Sequence, residues 1–131
     1  MAMIRDEIDI GLWTDPHWDI DAGVLADPPA RYEAFADELV ARFLDWSATP
    51  VVTVPLAVPE RDYINVIAEL ATGRIVGIQI DALRMAGVKD YPHWAALLHP
   101  LPPREAVAAL VADVRAMFDR YGVPPDDAEG S

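Results

Sequence analysis

Tyr63-Ile-Asn-Val-Ile-Ala-Glu-Leu70, then Ala71-Thr-Gly73, then Arg74-Ile-Val-Gly-Ile-Gln-Ile80 run consecutively through the middle of the chain. Two apolar, β-rich arms joined by a short loop containing glycine predict a β-hairpin. Gly73 supplies the positive φ that such a loop needs, because it has no Cβ to clash. Side chains alternate across a strand, so Ile64, Val66, Ala68 and Leu70 share one face of the first arm. By the same count Val76, Ile78 and Ile80 share one face of the second. Gly77 leaves room for a backbone or ring to approach closely.

Upstream of the hairpin, residues 51–58 are β-branched but broken by Pro55 and Pro59. Proline cannot donate to a ladder, which predicts an edge or irregular strand. Asp27 before Pro28 and Pro29 reads as an N-cap followed by proline in a first helical turn. Tyr32, Phe35, Ala36, Leu39, Val40, Phe43 and Leu44 then recur at 3–4 spacing, predicting an amphipathic helix over 28–46. Residues 14–29 carry prolines and aspartates and read as a loop, and Ile8, Ile10 and Leu12 alternate as in a half-buried strand.

Downstream, residues 81–87 suggest a helical turn closed by glycine, and Asp90 a cap for a short helix through Leu98. His99-Pro-Leu-Pro-Pro103 is a stiff connector. A final helix is predicted from about Pro103 to Tyr121, with Val107, Leu110, Val111, Val114, Phe118 and Tyr121 on one face and Gly122 at its C-terminal stop. The order predicts an α+β fold: a three- or four-stranded antiparallel sheet with a central hairpin, covered on one face by two amphipathic helices. Residues 1–122 are expected to form one domain and 123–131 an acidic flexible tail.

Of 131 residues, 53% are hydrophobic and none is cysteine. A core can therefore form, while disulfide frameworks, thiolate nucleophiles and cysteine-held metals are excluded. Acids outnumber bases 22 to 10, a formal charge of −12. A phosphate backbone or an anionic lipid surface needs clustered Lys and Arg, so nucleic acid and membrane are disfavoured partners. The acidity confers solubility, or provides a surface that mimics DNA or meets a basic partner. The N-terminus is charged where a signal peptide would be apolar, and no run approaches the roughly 18–20 apolar residues of a membrane span. The expectation is a cytoplasmic protein, with a composition that fits a bacterial source.

Asp62-Tyr-Ile-Asn-Val66 followed by Arg74-Ile-Val-Gly-Ile-Gln-Ile-Asp-Ala-Leu-Arg84 resembles a hairpin found in small uncharacterised bacterial domains. Their second arm commonly reads Gly-x-Val-Val-Gly-Ile-Glu-Ile, and here Gln79 stands in place of the acid. The resemblance covers about residues 62–84 and implies the hairpin, with no activity attached to it.

Several chemistries can be set aside. Ser47 and Ser131 are the only serines, and neither lies in a nucleophile elbow. The glycines are isolated, so no phosphate-cradling loop is formed. Lys89 beside Asp90 reads as a surface turn and not a desolvated Schiff-base lysine. Extended backbone over 15–21 would project Asp15, His17, Asp19 and Asp21 to one side, a donor set for a divalent cation. The competing reading is a polar loop of Asx turns. His93 and His99, six apart, are poorly spaced for one helical face and read as structural. Trp13, Trp18, Trp46 and Trp94 are numerous for the length, and tryptophans left exposed serve interfaces as anchors. Glu38–Arg42 and Arg115–Asp119 would be i,i+4 pairs on helices.

The leading expectation is a non-enzymatic, self-associating protein-interaction or assembly module without a cofactor, working with a protein partner or as a homo-oligomer. The first alternative is a divalent-metal protein or metal-dependent enzyme built on the 15–21 loop. The second is a small-ligand pocket lined by Trp46, Tyr63, Gly77 and Trp94, with Trp18 as a further interface or ligand residue.

Overall fold

The computed structural model describes residues 16–18, 25–43 and 50–123. Five strands, β1 (Leu25–Glu33), β2 (Glu38–Phe43), β3 (Val51–Pro55), β4 (Ile64–Glu69) and β5 (Ile75–Asp81), make one antiparallel sheet in the order β1-β2-β5-β4-β3. The expected hairpin is β4–β5, at the centre. Gly73 takes φ 82° in its loop, and the Glu69 carboxylate ties that loop by accepting from Thr72 Oγ1 at 2.6 Å and Arg74 Nη2 at 2.9 Å. Ile64 faces Ile80, Val66 faces Ile78 and Ala68 faces Ile75. The register shifts between Ile67 and Ala68, which makes Val76 the extra residue of a bulge. Ile75, not Val76, therefore joins Ile78 and Ile80 on the packed face.

The helix expected over 28–46 is not formed, and the sheet has five strands where three or four were expected. Within that range the chain makes the β1–β2 hairpin, with a turn at 34–37. Ala30 and Tyr32 on β1 and Leu39, Ala41 and Phe43 on β2 are buried on one face, while Arg31 and Glu33 face Val40 and Glu38 on the other. A spacing of four satisfies both a helical period and an even strand count, and pairing of β2 with β5 over Glu38–Arg42 decides between them. Phe35, counted on the helix's apolar face, sits at the turn and is 99% exposed. Glu38 and Arg42, which a helix would bring together, lie about 13 Å apart along an extended strand.

One helix, α1 (Arg104–Tyr121), covers the sheet as expected, burying Val107, Leu110, Val111 and Val114. Gly122 ends it at φ 68°, its N–H donating to Phe118 O at 2.8 Å. A π-helical turn (Leu83–Gly87) and a 3₁₀ turn (Pro92–Leu97) fill the path from β5 to α1. Leu83, Trp94 and Leu97 from these turns join the same core. Asp37 pins the first turn to the β1–β2 hairpin. Its carbonyl accepts from Leu83 N–H, and its carboxylate accepts from Arg84 N–H at 2.7 Å, Met85 N–H at 3.0 Å and Tyr32 Oη at 2.6 Å. No described helix is long and apolar enough to cross a membrane. The expected strand at 8–13 and most of the expected tail (124–131) lie outside the described residues.

Candidate functional site

An open sheet has two edges, and each presents backbone N–H and C=O groups that another strand could pair with. The two edges here are treated differently. On β1 the prolines 28 and 29 withdraw two donors, Tyr32 N–H donates to Pro100 O at 3.1 Å, and Arg104 Nη2 donates to Ala26 O at 3.2 Å. Asp27, Arg31 and Glu33 add charge along that strand. Pro100 of the connector and Arg104 at the start of the final helix thus cover the β1 edge.

β3, Val51-Val-Thr-Val-Pro55, has no charged residue. Leu70 N–H donates to Pro50 O and Leu56 N–H to Ile64 O, so the even-numbered residues of this strand bond inward to β4. In an antiparallel ladder the bonding pairs alternate. Val51, Thr53 and Pro55 therefore turn their backbone groups to the free edge. None of the outward groups of Val51 and Thr53 meets a hydrogen-bond partner among the described residues. Val51 is 39% exposed, and Thr53 and Pro55 are also exposed. The edge is closed just beyond the strand, where Ala57 N–H donates to Gly122 O at 2.9 Å. What remains is a five-residue uncharged edge whose outward donors and acceptors are unused among the described residues.

The residues singled out from the sequence are scattered. Trp94 is 1% exposed, stacks on Tyr91 with ring centroids 4.5 Å apart and donates Nε1–H to Asp113 Oδ2 at 2.9 Å. It is core, not an exposed anchor. Gly77 lies level with Arg42 and Ile67 on the sheet face opposite the packed Ile78 and Val66, so it cannot share a pocket with Trp94. Trp18 is half-buried against Phe43 and Phe118, both at 5.9 Å, with the Arg115 guanidinium 5.7 Å over its ring. Among the described residues no group of His, Cys, Asp or Glu could hold a metal ion. His17 is exposed, and its backbone bridges Gly73 O and Ile75 N–H. Asp15, Asp19, Asp21 and Trp46 lie outside the described residues.

Tyr63 belongs to a polar cluster at the helical end. Its hydroxyl donates to Asp90 Oδ2 at 2.6 Å, Arg61 Nε pairs with the same oxygen at 3.2 Å, and the guanidinium lies 5.4 Å over the Tyr91 ring. Burial and the hydrogen bond to Asp90 push the Tyr63 hydroxyl far above its ordinary value. The Tyr63 bond and the Arg61 charge hold the Asp90 carboxyl low. A phenol locked as a donor and a carboxylate locked as an acceptor are poor proton shuttles near neutrality. His93 and Asp113, 2.6 Å apart, extend the cluster along the surface. His93 thus pairs with α1 from the start of the 3₁₀ turn.

Two features escaped sequence reasoning. The unused edge of β3 depends on which neighbour each strand acquires, which is a long-range outcome. The exposed pair Phe35 and Met85, the latter 75% exposed, was hidden by the helical reading of 28–46. Comparison with family models, with curated proteins and with solved structures gives no match.

Proposed function

We propose that this protein is a protein-interaction module that binds by adding a strand to β3. The observation that carries the reading is the contrast between edges: β1 is covered by charges and the Pro100 carbonyl as well as prolines, whereas β3 is uncharged, has its one proline at its end, and leaves the outward groups of Val51 and Thr53 unused among the described residues. Natural sheets ordinarily blunt an edge with lysine, proline or a covering loop. An edge left bare is the surface that strand addition requires, main-chain bonds giving affinity and alternate side chains giving specificity. Phe35 and Met85 offer apolar contact elsewhere on the same molecule.

The test uses Thr53→Pro, which removes an outward N–H that β4 does not use, and Thr53→Lys, which places charge on the edge. Affinity purification with wild type is expected to retain a partner, or further copies of the chain, that both variants lose at unchanged fold. Equal retention by all three proteins discards the reading.

A second reading, a small-ligand domain, has one observation in its favour. Pro28, Ala30, Arg31, Val40 and Arg42 line an open recess of about 260 Å³, and neither arginine meets an acidic partner among the described residues. Two guanidinium groups at one recess suit a small anion. Inorganic phosphate would then raise the melting temperature of wild type but not of Arg31→Gln/Arg42→Gln.

A further inference from the structure

We infer that the strand β3 receives is β3 of a second copy of this chain, antiparallel, on a two-fold axis through Thr53. The inference rests on the strand-addition reading above and names its partner. Strand pairing about a two-fold axis is isologous: residue i meets j, and j meets i. With the axis at Thr53, Thr53 faces Thr53 and Val51 faces Pro55 of the other copy.

The pattern of donors along the edge fits this register. The outward groups are the N–H and C=O of Val51, the N–H and C=O of Thr53, and the C=O of Pro55, which has no N–H. In the proposed pairing the two Thr53 residues exchange both of their bonds. Each Val51 N–H then donates to the opposite Pro55 C=O. Every outward donor is matched, and one acceptor per copy, the Val51 carbonyl, is left to solvent. The proline stands where no donor is needed beyond those already placed. Slipping the register by one residue would pair outward groups with inward ones, which are committed to β4.

Side chains agree with the backbone. Val52 would face Val54 of the other copy on the packed side, a pair of β-branched residues of the kind that stabilise cross-strand contacts. Thr53 faces Thr53 on the other side, where paired threonines also stabilise. No charge lies anywhere in the overlap, so two chains of formal charge −12 meet at a neutral strip. The overlap ends before Ala57, whose N–H is held by Gly122, so the C-terminal end of α1 is not displaced.

Cysteine cross-linking tests the register, because the chain has no cysteine of its own. Residues facing each other in a bonded antiparallel pair have Cα atoms about 5.5 Å apart, inside the range a disulfide spans. Thr53→Cys is expected to oxidise to a covalent dimer at least tenfold faster than Lys89→Cys, an exposed control off the sheet. Sedimentation of wild type should show a dimer that builds with concentration, and Thr53→Lys should remain a monomer. Equal oxidation rates, or a monomer at every concentration, would overturn self-pairing. If the monomer still retained a foreign partner lost by Thr53→Pro, strand addition would stand and only its partner would be wrong.

Discussion

Asp37 takes φ 55° at the end of the β1–β2 turn, a left-handed conformation that aspartate tolerates better than most residues. Its carboxylate satisfies two backbone donors of the π-helical turn and the Tyr32 hydroxyl, as an N-cap side chain does. Burial alone would raise its pKa, but the bonds from Tyr32, Arg84 and Met85 outweigh that and hold it below the usual carboxylate range. A carboxyl whose folded pKa lies below its unfolded value stabilises the fold above that unfolded value. The contribution is lost as pH falls through the folded pKa. Urea titrations of wild type are therefore expected to lose stability below about pH 4, with Asp37→Asn losing less over the same window. Asp37→Ala should cost about 1–3 kcal/mol at neutral pH, since it orphans several donors at once. Trp94→Ala, which empties a fully buried site, should cost roughly 3–5 kcal/mol in the same assay.

Among the elements, the central hairpin can be tested at its loop. Gly73→Ala forces a Cβ into φ 82° and should destabilise by about 1 kcal/mol or more, read as a drop in denaturant midpoint. That loop was legible because two apolar, β-rich arms, Ile64–Glu69 and Ile75–Ile80, flank a short loop that holds a glycine. Helix α1 was legible for a similar reason: Val107, Leu110, Val111 and Val114 follow a 3.6 period with Gly122 at the stop. The β1–β2 hairpin was not. Its turn, Ala34-Phe-Ala-Asp37, is built from residues that also suit helices, and Leu39 and Phe43, four apart, fall at a spacing both periods accept. The Pro28-Pro29 pair, read as a first helical turn, in fact interrupts an edge strand. What decided the matter was the pairing of β2 with β5, and a single sequence carries no record of that contact. The candidate edge was half legible. Pro55 and Pro59 marked β3 as an edge strand, but that β1 would be covered by the connector was not readable from spacing.

At the level of the whole molecule, acidity and association pull against each other. Two chains of formal charge −12 repel over distances that salt shortens, since the screening length falls from roughly 30 Å at 0.01 M to 10 Å at 0.1 M ionic strength. An interface of hydrogen bonds and valines has little to lose from that screening. Its association should therefore tighten between low and moderate salt, measured by sedimentation. An interface made of ion pairs would weaken over the same range. The helical end, with Arg61 on Asp90 and His93 on Asp113, would respond in that opposite sense, so the sign of the salt effect locates the contact.

The covering of β1 by Pro100 and its neighbours also limits growth. A sheet bare on both sides could go on recruiting copies until it became a fibre. With one flank covered, pairing through β3 would consume the strand edge left bare among the described residues, and the polymer would stop at its first bond.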